Sequence, residues 1–132
     1  MKLITRDTDY ALRALCFIAK EKERIVAVSE LVKELKIPKP FLRKILQSLH
    51  KHGVLAAYKG VGGGFKLARP ANKIFLFDLL AIFQQDWHLN ECLFKKMLCP
   101  NVKKCVLKKK IDKIEDFVRK ELSSISIASL IG

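Results

Sequence analysis

The sequence lacks any uninterrupted apolar run of the ~20 residues that a membrane-spanning helix needs. Charged residues interrupt the apolar N-terminus at Arg6, Asp7, Asp9 and Arg13, and the N-terminus carries no secretion signal. These absences predict a protein of the reducing cytoplasm with no membrane anchor. In that compartment the four cysteines are expected to be thiols or metal ligands rather than disulfides.

Acidic residues are absent from Lys36 to Phe77. Residues 1–75 carry 16 Lys and Arg against 6 Asp and Glu, whereas residues 76–132 carry 10 against 7, so the first part holds most of the net charge of +13. A segment without carboxylates suits a surface that lies against phosphates, because each Lys or Arg that neutralises a phosphate releases a counterion. The charge predicts a polyanionic partner, and by itself leaves nucleic acid and membrane headgroups open.

Catalytic and nucleotide-binding patterns are also missing. The chain shows no pairing of a nucleophile with a base and no paired carboxylates at a useful spacing. The stretch "GVGGGF" is not a dinucleotide fingerprint, because Phe65 stands where the last glycine is needed, and the Lys-Ser/Thr pair of a P-loop is absent. We therefore expect a binding protein rather than an enzyme.

Two helices are predicted before residue 38. The stretch "DTDYALRALCFIAK" has apolar residues at helical spacing, and Asp7 or Thr8 could cap it. The stretch "VSELVKELKIP" has Ser29 as its predicted N-cap and ends before Pro38. Cys16 lies close to the apolar stripe of the first helix and is interpreted as a small buried hydrophobe.

A third helix, in "FLRKILQSLHKHG", is predicted to begin near Pro40 and to end at Gly53. Its apolar residues line one face, and its polar residues lie on the other. In a helix-turn-helix motif the second helix enters the major groove. Arg and Gln suit base edges and Lys suits phosphates, and the alternative is a solvated basic face. The predicted DNA contacts of this helix are Lys39, Arg43, Lys44, Gln47 and Lys51. His50 and His52 are interpreted as surface or packing residues.

A glycine-rich hairpin follows in "VLAAYKGVGGGFKLA". Apolar and polar residues alternate before and after a glycine-rich turn, which predicts two strands. Helices followed by such a hairpin predict a mainly α winged helix-turn-helix fold with a small β-hairpin wing. Glycines let backbone amides approach a phosphate or the floor of a narrow groove, whereas an ordinary hairpin turn needs fewer of them. The predicted contacts of the wing are Lys59, Gly60, Gly62, Gly63 and Gly64.

The remaining chain predicts a helix from about Leu76 to Gln84 and a long C-terminal helix. The long helix has a heptad-like apolar seam that favours pairing between two chains. The seam is formed by Leu107, Ile111, Ile114, Val118 and Ile125. The predicted organisation is a DNA-binding domain over 1–84, a cysteine-containing segment over 85–106, and a dimerisation helix with the C-terminal segment over 107–132.

The stretch "ECLFKKMLCPNVKKC" places Cys92, Cys99 and Cys105 close together, with six and five residues between them. No C-x-x-C pair occurs, which disfavours a structural zinc site. The wide spacing suits an iron–sulfur cluster, which usually takes four ligands and would need one more. The four lysines in the stretch would lower thiol pKa values and favour a redox switch, or would offset the charge of a thiolate-bound cluster. Both interpretations stay open.

The chain resembles the IscR and NsrR type of winged-helix bacterial transcription regulators, the Rrf2 family. The resemblance lies in "MKLITRDTDYALRALCFIA", in "IPKPFLRKILQSLHKHGVLAAYKGVGGGFKLARPANKI", in the cysteine trio and in "SSISIASLI". It implies a homodimer that crosses its C-terminal helices and places two recognition helices on a pseudo-palindromic operator. It also implies a 2Fe-2S or 4Fe-4S iron–sulfur cluster on the three cysteines.

The resemblance suggests where the fourth ligand comes from. In the IscR branch a histidine follows the third cysteine, but here "CVLKKKI" has Lys108 at the matching place. In the NsrR branch an N-terminal aspartate of the other subunit completes the cluster, and "DYALRAL" aligns Asp9 with it. The implied metal ligands are Cys92, Cys99, Cys105 and Asp9, with the neighbouring Asp7 and His88 as further candidates. Without the resemblance, Asp9 would be a first-turn charge of its helix.

The predicted function is a DNA-binding transcriptional regulator, expected to be a repressor, that senses iron–sulfur status, nitric oxide or redox stress through the cluster. One alternative is a cluster-free regulator that senses redox state through its thiols. Another is a basic adaptor that binds nucleic acid without sequence preference.

Overall fold

The structure is a computed structural model that describes residues 3–22, 24–85 and 106–132. Its described elements are mainly helical with one antiparallel hairpin, so the predicted fold class is confirmed. In chain order they are α1 (Arg6–Lys20), α2 (Val28–Leu35), α3 (Lys39–Lys51), β1 (Leu55–Tyr58), β2 (Gly64–Leu67), a 3-10 turn (Ala71–Lys73), α4 (Leu76–Phe83), α5 (Val106–Ser124) and α6 (Ile127–Ile131).

The start of α2 differs from the prediction because a distant residue fixes it. Val26 donates to the carbonyl of Phe65 at 2.8 Å and accepts from its amide at 2.9 Å. This pairing holds the chain extended through Ala27, which is the N-cap, so the helix begins at Val28. Ser29 therefore lies inside α2, and its prediction as the N-cap was wrong.

The start of α1 also lies earlier than predicted. The N-cap residue is Thr5, in an extended conformation, so Asp7 and Thr8 lie within the helix. Both predicted caps were therefore wrong. The backbone amide of Thr5 donates to the side-chain Oε1 of Gln84 at 2.9 Å, so a residue from the end of α4 fixes this helix start.

The sequence pattern predicted α3 closely. Pro40 lies in its first turn, and Gly53 follows its end with a φ of 77°, where a side chain would be strained. The amide of Gly53 donates to the carbonyl of His50 at 3.1 Å. The apolar face is buried in the core as predicted and consists of Leu42, Ile45, Leu46 and Leu49.

The hairpin packs onto the helices through its first strand and through one residue of its second. In the antiparallel register, Leu55 lies opposite Leu67 and Tyr58 lies opposite Gly64. Leu55 is buried, and Phe65 pairs with Val26 just before α2. The hairpin is therefore anchored on both sides of the helix-turn-helix, which fixes its position beside α3.

The C-terminal part of the chain returns to the helices of its first half. Leu76 donates to the carbonyl of Ile125 at 2.8 Å, and Ile127 donates to the carbonyl of Ile74 at 2.8 Å. Ile127 is fully buried, and α6 packs against α1. In the described ranges, no helix is long and apolar enough to cross a bilayer.

The predicted seam of α5 divides between two faces. Leu122 is buried, and Val118 packs against the core. Leu107 and Ile114 are instead 66% and 53% exposed, on a face that also carries Val106 and Phe117. Because α5 ends at Ser124, the assignment of Ile125 to the seam of the helix was wrong. Its carbonyl instead accepts from the amide of Leu76, the first residue of α4.

Candidate nucleic-acid interface and the cysteine segment

The polar face of α3 is open to solvent. Packing of the apolar face against the core turns the opposite side outward, and the exposed side chains there are Lys39, Arg43, Lys44, Gln47 and Lys51. All the contacts predicted on this helix are therefore accessible to a partner. Their contact with DNA stays a prediction.

A groove of about 770 Å³ separates α3 from the hairpin. Its helix side is lined by Arg43, Gln47 and His50, and its hairpin side includes Tyr58, Lys59 and Gly60. The structure thus brings the two residue types suited to base edges next to a lysine of the wing. Sequence reasoning missed His50 and Tyr58, because their place depends on how the hairpin folds against the helix.

The other predicted contacts lie away from the groove lining. Lys39, Lys44 and Lys51 are exposed along α3, and Gly62 is exposed at the tip of the wing. Between the glycines of this tip, Val61 is fully exposed. The predicted DNA contacts therefore form a groove with flanking exposed cations rather than one patch.

The fold itself accounts for the wing glycines. Gly62 has a φ of 77°, which L side chains rarely adopt. A Cβ on Gly64 would collide with the carbonyl oxygen of Val26, where the hairpin pairs with the start of α2. Gly60 has a φ of 90°, and a Cβ on Gly63 would collide with the carbonyl oxygen of Tyr58. Folding alone thus explains all four glycines, and their approach to DNA stays a prediction.

An aromatic contact joins the first turns of α1 and α3. The guanidinium carbon of Arg6 lies 4.8 Å from the ring centroid of Phe41, which is 42% exposed. Such a stacking stabilises by about 0.5–1 kcal/mol at an exposed site. The contact places the start of α1 beside the start of the recognition helix. The sequence held one signal of this contact, namely the aromatic Phe41 on the otherwise polar face of α3.

Asp9 lies in the first turn of α1 and forms an ion pair with Arg13. Its Oδ2 is 3.1 Å from Arg13 Nε, and both side chains are largely exposed. This is the first-turn charge that the sequence suggests without the resemblance. An exposed carboxylate is also available to a second ligand, so its role as a metal ligand stays a prediction.

Gln84 connects the end of α4 to the start of α1. Its Oε1 accepts hydrogen bonds from Thr5 N at 2.9 Å and from Thr8 Oγ1 at 2.7 Å, and its Nε2 donates to Leu3 O at 3.2 Å. Residues 86–105 begin two positions later in the chain. This hydrogen-bonded cluster therefore fixes the point from which the cysteine segment leaves, next to the turn that carries Asp9.

The cysteine trio lies outside the described residues, as does His88. Within the ranges that the structure describes, no group of three or more His, Cys, Asp or Glu is placed to hold a metal ion. Cys16 packs against the core as predicted, and burial raises the pKa of its thiol although Lys20 opposes the shift. A raised pKa disfavours the thiolate, which is the nucleophilic form of cysteine.

The chain is similar to known proteins over nearly its whole length. The family model Rrf2, described as an iron-dependent transcriptional regulator, matches residues 4–132. A protein of Aquifex aeolicus, named as a candidate helix-turn-helix-type transcriptional regulator, is 33% identical over 93% of this chain and 87% of its own. The helix-turn-helix-type transcriptional regulator NsrR of Oceanobacillus iheyensis is 32% identical over 94% and 86%.

A solved structure agrees in fold. CymR of B. subtilis, titled the global cysteine regulator, superposes with a TM-score of 0.84 at 19% identity and covers 99% of this chain and 97% of its own. At that identity the likeness concerns the arrangement of helices and hairpin alone. The helix-turn-helix and its wing are therefore found in a known regulator with the same architecture.

Proposed function

The chain belongs to the Rrf2 family of transcriptional regulators, and from this membership we propose that it is a dimeric repressor with an iron–sulfur cluster. As a member of this family it is a DNA-binding regulator and not an enzyme. The proposal extends to the operator, the cluster, the signal and an action in the cytoplasm.

The groove between α3 and the wing carries the DNA-binding proposal. Arg43 and Gln47 line it from the recognition helix, and Lys59 lines it from the wing. Arg pairs bidentately with guanine and Gln with adenine, whereas a lysine suits the intervening phosphates. In this arrangement one protomer reads base edges with α3 while the wing holds the backbone beside them. Lys39, Lys44 and Lys51 add phosphate contacts along the same strand.

The exposed apolar face of α5 supports the proposed dimer. Val106, Leu107, Ile114 and Phe117 are each more than half exposed on one helix. A contiguous apolar face of this kind is costly in water and marks a protein interface. If α5 of one protomer packs on α5 of its partner about a two-fold axis, the two recognition helices read inverted half-sites. The operator would then be pseudo-palindromic.

The donor set fits an iron–sulfur cluster. The proposed ligands are Cys92, Cys99 and Cys105 together with Asp9 of the partner protomer. Thiolates hold such clusters, and another residue can replace one of them. The exposed carboxylate of Asp9 is accessible, although ligation would compete with its ion pair to Arg13. The cluster, when bound, would supply iron that reacts with nitric oxide or oxygen. The description of the matching family as iron-dependent supports this choice.

A cluster-free thiol switch is the second candidate. Lys95, Lys96, Lys103 and Lys104 lie among the three cysteines. Their positive charge would favour thiolates, which are the reactive form. In this version the same regulator would respond to oxidants by forming a bond between two cysteines. It needs no metal, and it differs from the first candidate in colour and iron content.

Selection from a random pool of duplex DNA tests the DNA-binding part. We expect the protein to enrich a pseudo-palindromic sequence and to hold it at physiological salt at least about a thousandfold more tightly than unselected duplex. Enrichment of no sequence, with uniform and salt-sensitive binding, would instead identify a non-specific nucleic-acid adaptor.

Anaerobic purification tests the cluster. We expect brown protein that contains iron and acid-labile sulfide, and we expect Cys92→Ser to lose both. Asp9→Ala should make the cluster more labile, whereas the neighbouring exposed carboxylate, in Asp7→Ala, should leave it unchanged. Colourless protein that cannot be reconstituted with iron and sulfide, but whose DNA binding responds to oxidant and to Cys92→Ser, would support the thiol switch.

A further inference from the structure

His50 lines the groove between α3 and the wing, and one of its two ring nitrogens is already engaged by the backbone. Its Nδ1 lies 3.1 Å from the carbonyl oxygen of Leu55. A carbonyl oxygen only accepts, so Nδ1 must carry a proton whether the ring is neutral or charged. The ring lines the groove, and Nε2 is the nitrogen left for a partner. When the ring is neutral Nε2 is an acceptor, and when the ring is protonated Nε2 is a donor.

The groove is open enough to take a DNA backbone strand. This step rests on the proposed function, in which α3 reads base edges, and it adds that the wing reaches the neighbouring minor groove. The two grooves of a duplex are separated by a sugar-phosphate strand, which must then pass between α3 and the hairpin. His50 lies on the helix side of that passage and Lys59 on the hairpin side. Both therefore face the same phosphates.

We propose that His50 binds a backbone phosphate of the operator through Nε2 and does so only when its imidazole is protonated. A phosphate oxygen has no hydrogen to donate, so a neutral His50 would oppose it with a lone pair. The imidazolium offers an N–H and a positive charge to the same oxygen. Operator binding is then tighter at lower pH, and the additional affinity is lost as pH rises and the ring deprotonates.

The surroundings of His50 favour a phosphate over other partners. The ionisable groups that line the groove with it are Arg43 on α3 and Tyr58 and Lys59 on the hairpin. Among the described residues, no carboxylate belongs to that lining, and the sequence has none from Lys36 to Phe77. Within this lining, an added positive charge on His50 has no anion beside it until a polyanion enters. Imidazole is the side chain that gains its charge in the range from pH 8 to pH 5.

His52 provides a matched control. Its Nδ1 lies 2.8 Å from the carbonyl oxygen of Ser48, so it has the same kind of hydrogen bond on the same helix end. It does not belong to the groove lining. A general effect of pH on the protein, or of any histidine near DNA, would involve both residues equally. A phosphate contact in the groove involves only His50.

The test measures affinity for the selected operator duplex at about pH 8 and about pH 6, at one fixed salt concentration. For the unsubstituted protein and for His52→Gln we expect about tenfold tighter binding at the lower pH for each half-site, the effect of one charge-assisted hydrogen bond, and hence about a hundredfold for the dimer. His50→Gln should lose this difference and bind at both values as the unsubstituted protein does at pH 8. His50→Arg, which carries a permanent charge, should bind tightly at both.

The salt dependence provides a second measurement. Between the two pH values the slope of log affinity against log salt should steepen by about 0.9 for each phosphate that an imidazolium neutralises, and only where His50 is present. If His50→Gln keeps the pH difference, or the unsubstituted protein has none, the inference is wrong while specific DNA binding stands. If no duplex is selected at either pH, the proposed function itself fails.

Discussion

Thr8 donates a hydrogen bond from Oγ1 to Oε1 of Gln84 at 2.7 Å, although 76 positions separate the two residues. Thr8 is fully buried, so its hydroxyl has no water to replace this partner. Gln84 also accepts from the backbone amide of Thr5. One carboxamide thus holds the start of α1 at the point where the chain leaves α4 toward the cysteines.

Replacing this carboxamide should destabilise the protein. We expect Gln84→Ala to lower the free energy of unfolding by about 1–3 kcal/mol, because Thr5 N and the buried hydroxyl of Thr8 lose the acceptor that they share, and Thr8 keeps only the Thr5 hydroxyl at 3.2 Å. Urea unfolding measures the change. The adjacent exposed Gln85 is the control, and Gln85→Ala should change the free energy by no more than about 0.5 kcal/mol. Equal effects of the two substitutions would contradict the role of the Gln84 side chain.

Substitution of a wing glycine by alanine should lower the free energy of unfolding by different amounts at Gly64 and Gly62. In Gly64→Ala the added Cβ meets the carbonyl of Val26, so either the pairing of Val26 with Phe65 opens or the strand shifts. We expect a loss of several kcal/mol in unfolding free energy, on the order of other severe backbone substitutions. In Gly62→Ala nothing lies within 4 Å, and only the positive φ is unfavourable. Its cost should be about 1–2 kcal/mol. Equal costs in urea unfolding would contradict the close approach.

Two exposed cations of α3 should affect DNA binding in different ways. Arg43→Ala should weaken operator binding by about 1–3 kcal/mol and relax the base preference at one position of each half-site. Lys44→Ala should weaken binding to all duplexes alike and reduce the salt slope by about 0.9 for each phosphate that is no longer neutralised. Lys120→Ala, on α5, should change neither the base preference nor the salt slope. Binding measured on operator variants over a range of salt separates these outcomes, and an unchanged base preference in Arg43→Ala would exclude that residue from base reading.

The exposed face of α5 should determine the oligomeric state. Phe117 is 64% exposed, as expected for a side chain that packs against a partner protomer. We expect Phe117→Ser, alone or with Ile114→Ser, to shift sedimentation from dimer toward monomer and to weaken operator binding. The control is Asp116→Ser, which introduces serine at the exposed neighbouring position and should leave the dimer intact. A dimer that survives the double substitution would place the interface elsewhere.

An exposed ion pair should give a small pH dependence of stability. Arg24 Nη2 lies 2.7 Å from Glu30 Oε2, and this hydrogen bond lowers the pKa of the Glu30 carboxyl. A carboxyl whose folded pKa is lowered stabilises the fold above its unfolded pKa, and the contribution is lost as pH falls through the folded value. Glu30→Gln should thus lower the urea midpoint at about pH 7 but not at about pH 3. Glu34→Gln, on the same helix, should lower the urea midpoint at neither pH.

The sequence predicted those parts of the fold that depend on neighbours along the chain. The apolar spacing of α3 and the glycine at its end were enough to place that helix, because Leu42, Ile45, Leu46 and Leu49 alone determine its buried face. The starts of α1 and α2 were wrong, because they depend on Gln84 and Phe65, which lie far away in the sequence. No local pattern carries that information.

The candidate site divides in the same way. Arg43, Gln47 and Lys59 could be predicted from residue type and position on a helix or a hairpin tip. His50 and Tyr58 could not, because they enter the site only when the hairpin folds against α3 and forms the groove. The heptad-like spacing likewise could not predict that Ile125 and Ile127 pair with the start of α4, since this pairing depends on hydrogen bonds with Leu76 and Ile74.

The pairing of residues 125–127 with residues 74–76 has a consequence for synthesis on the ribosome. The buried Ile127 completes a core that the helices before residue 84 begin to form. A nascent chain that has released only the helix-turn-helix still lacks this piece, so its α1 keeps an uncovered apolar side until the later residues emerge. The DNA-reading surface is therefore expected to reach its final rigidity only after residues 125–127 have left the exit tunnel. An unfinished chain would thus be a poor competitor for the operator.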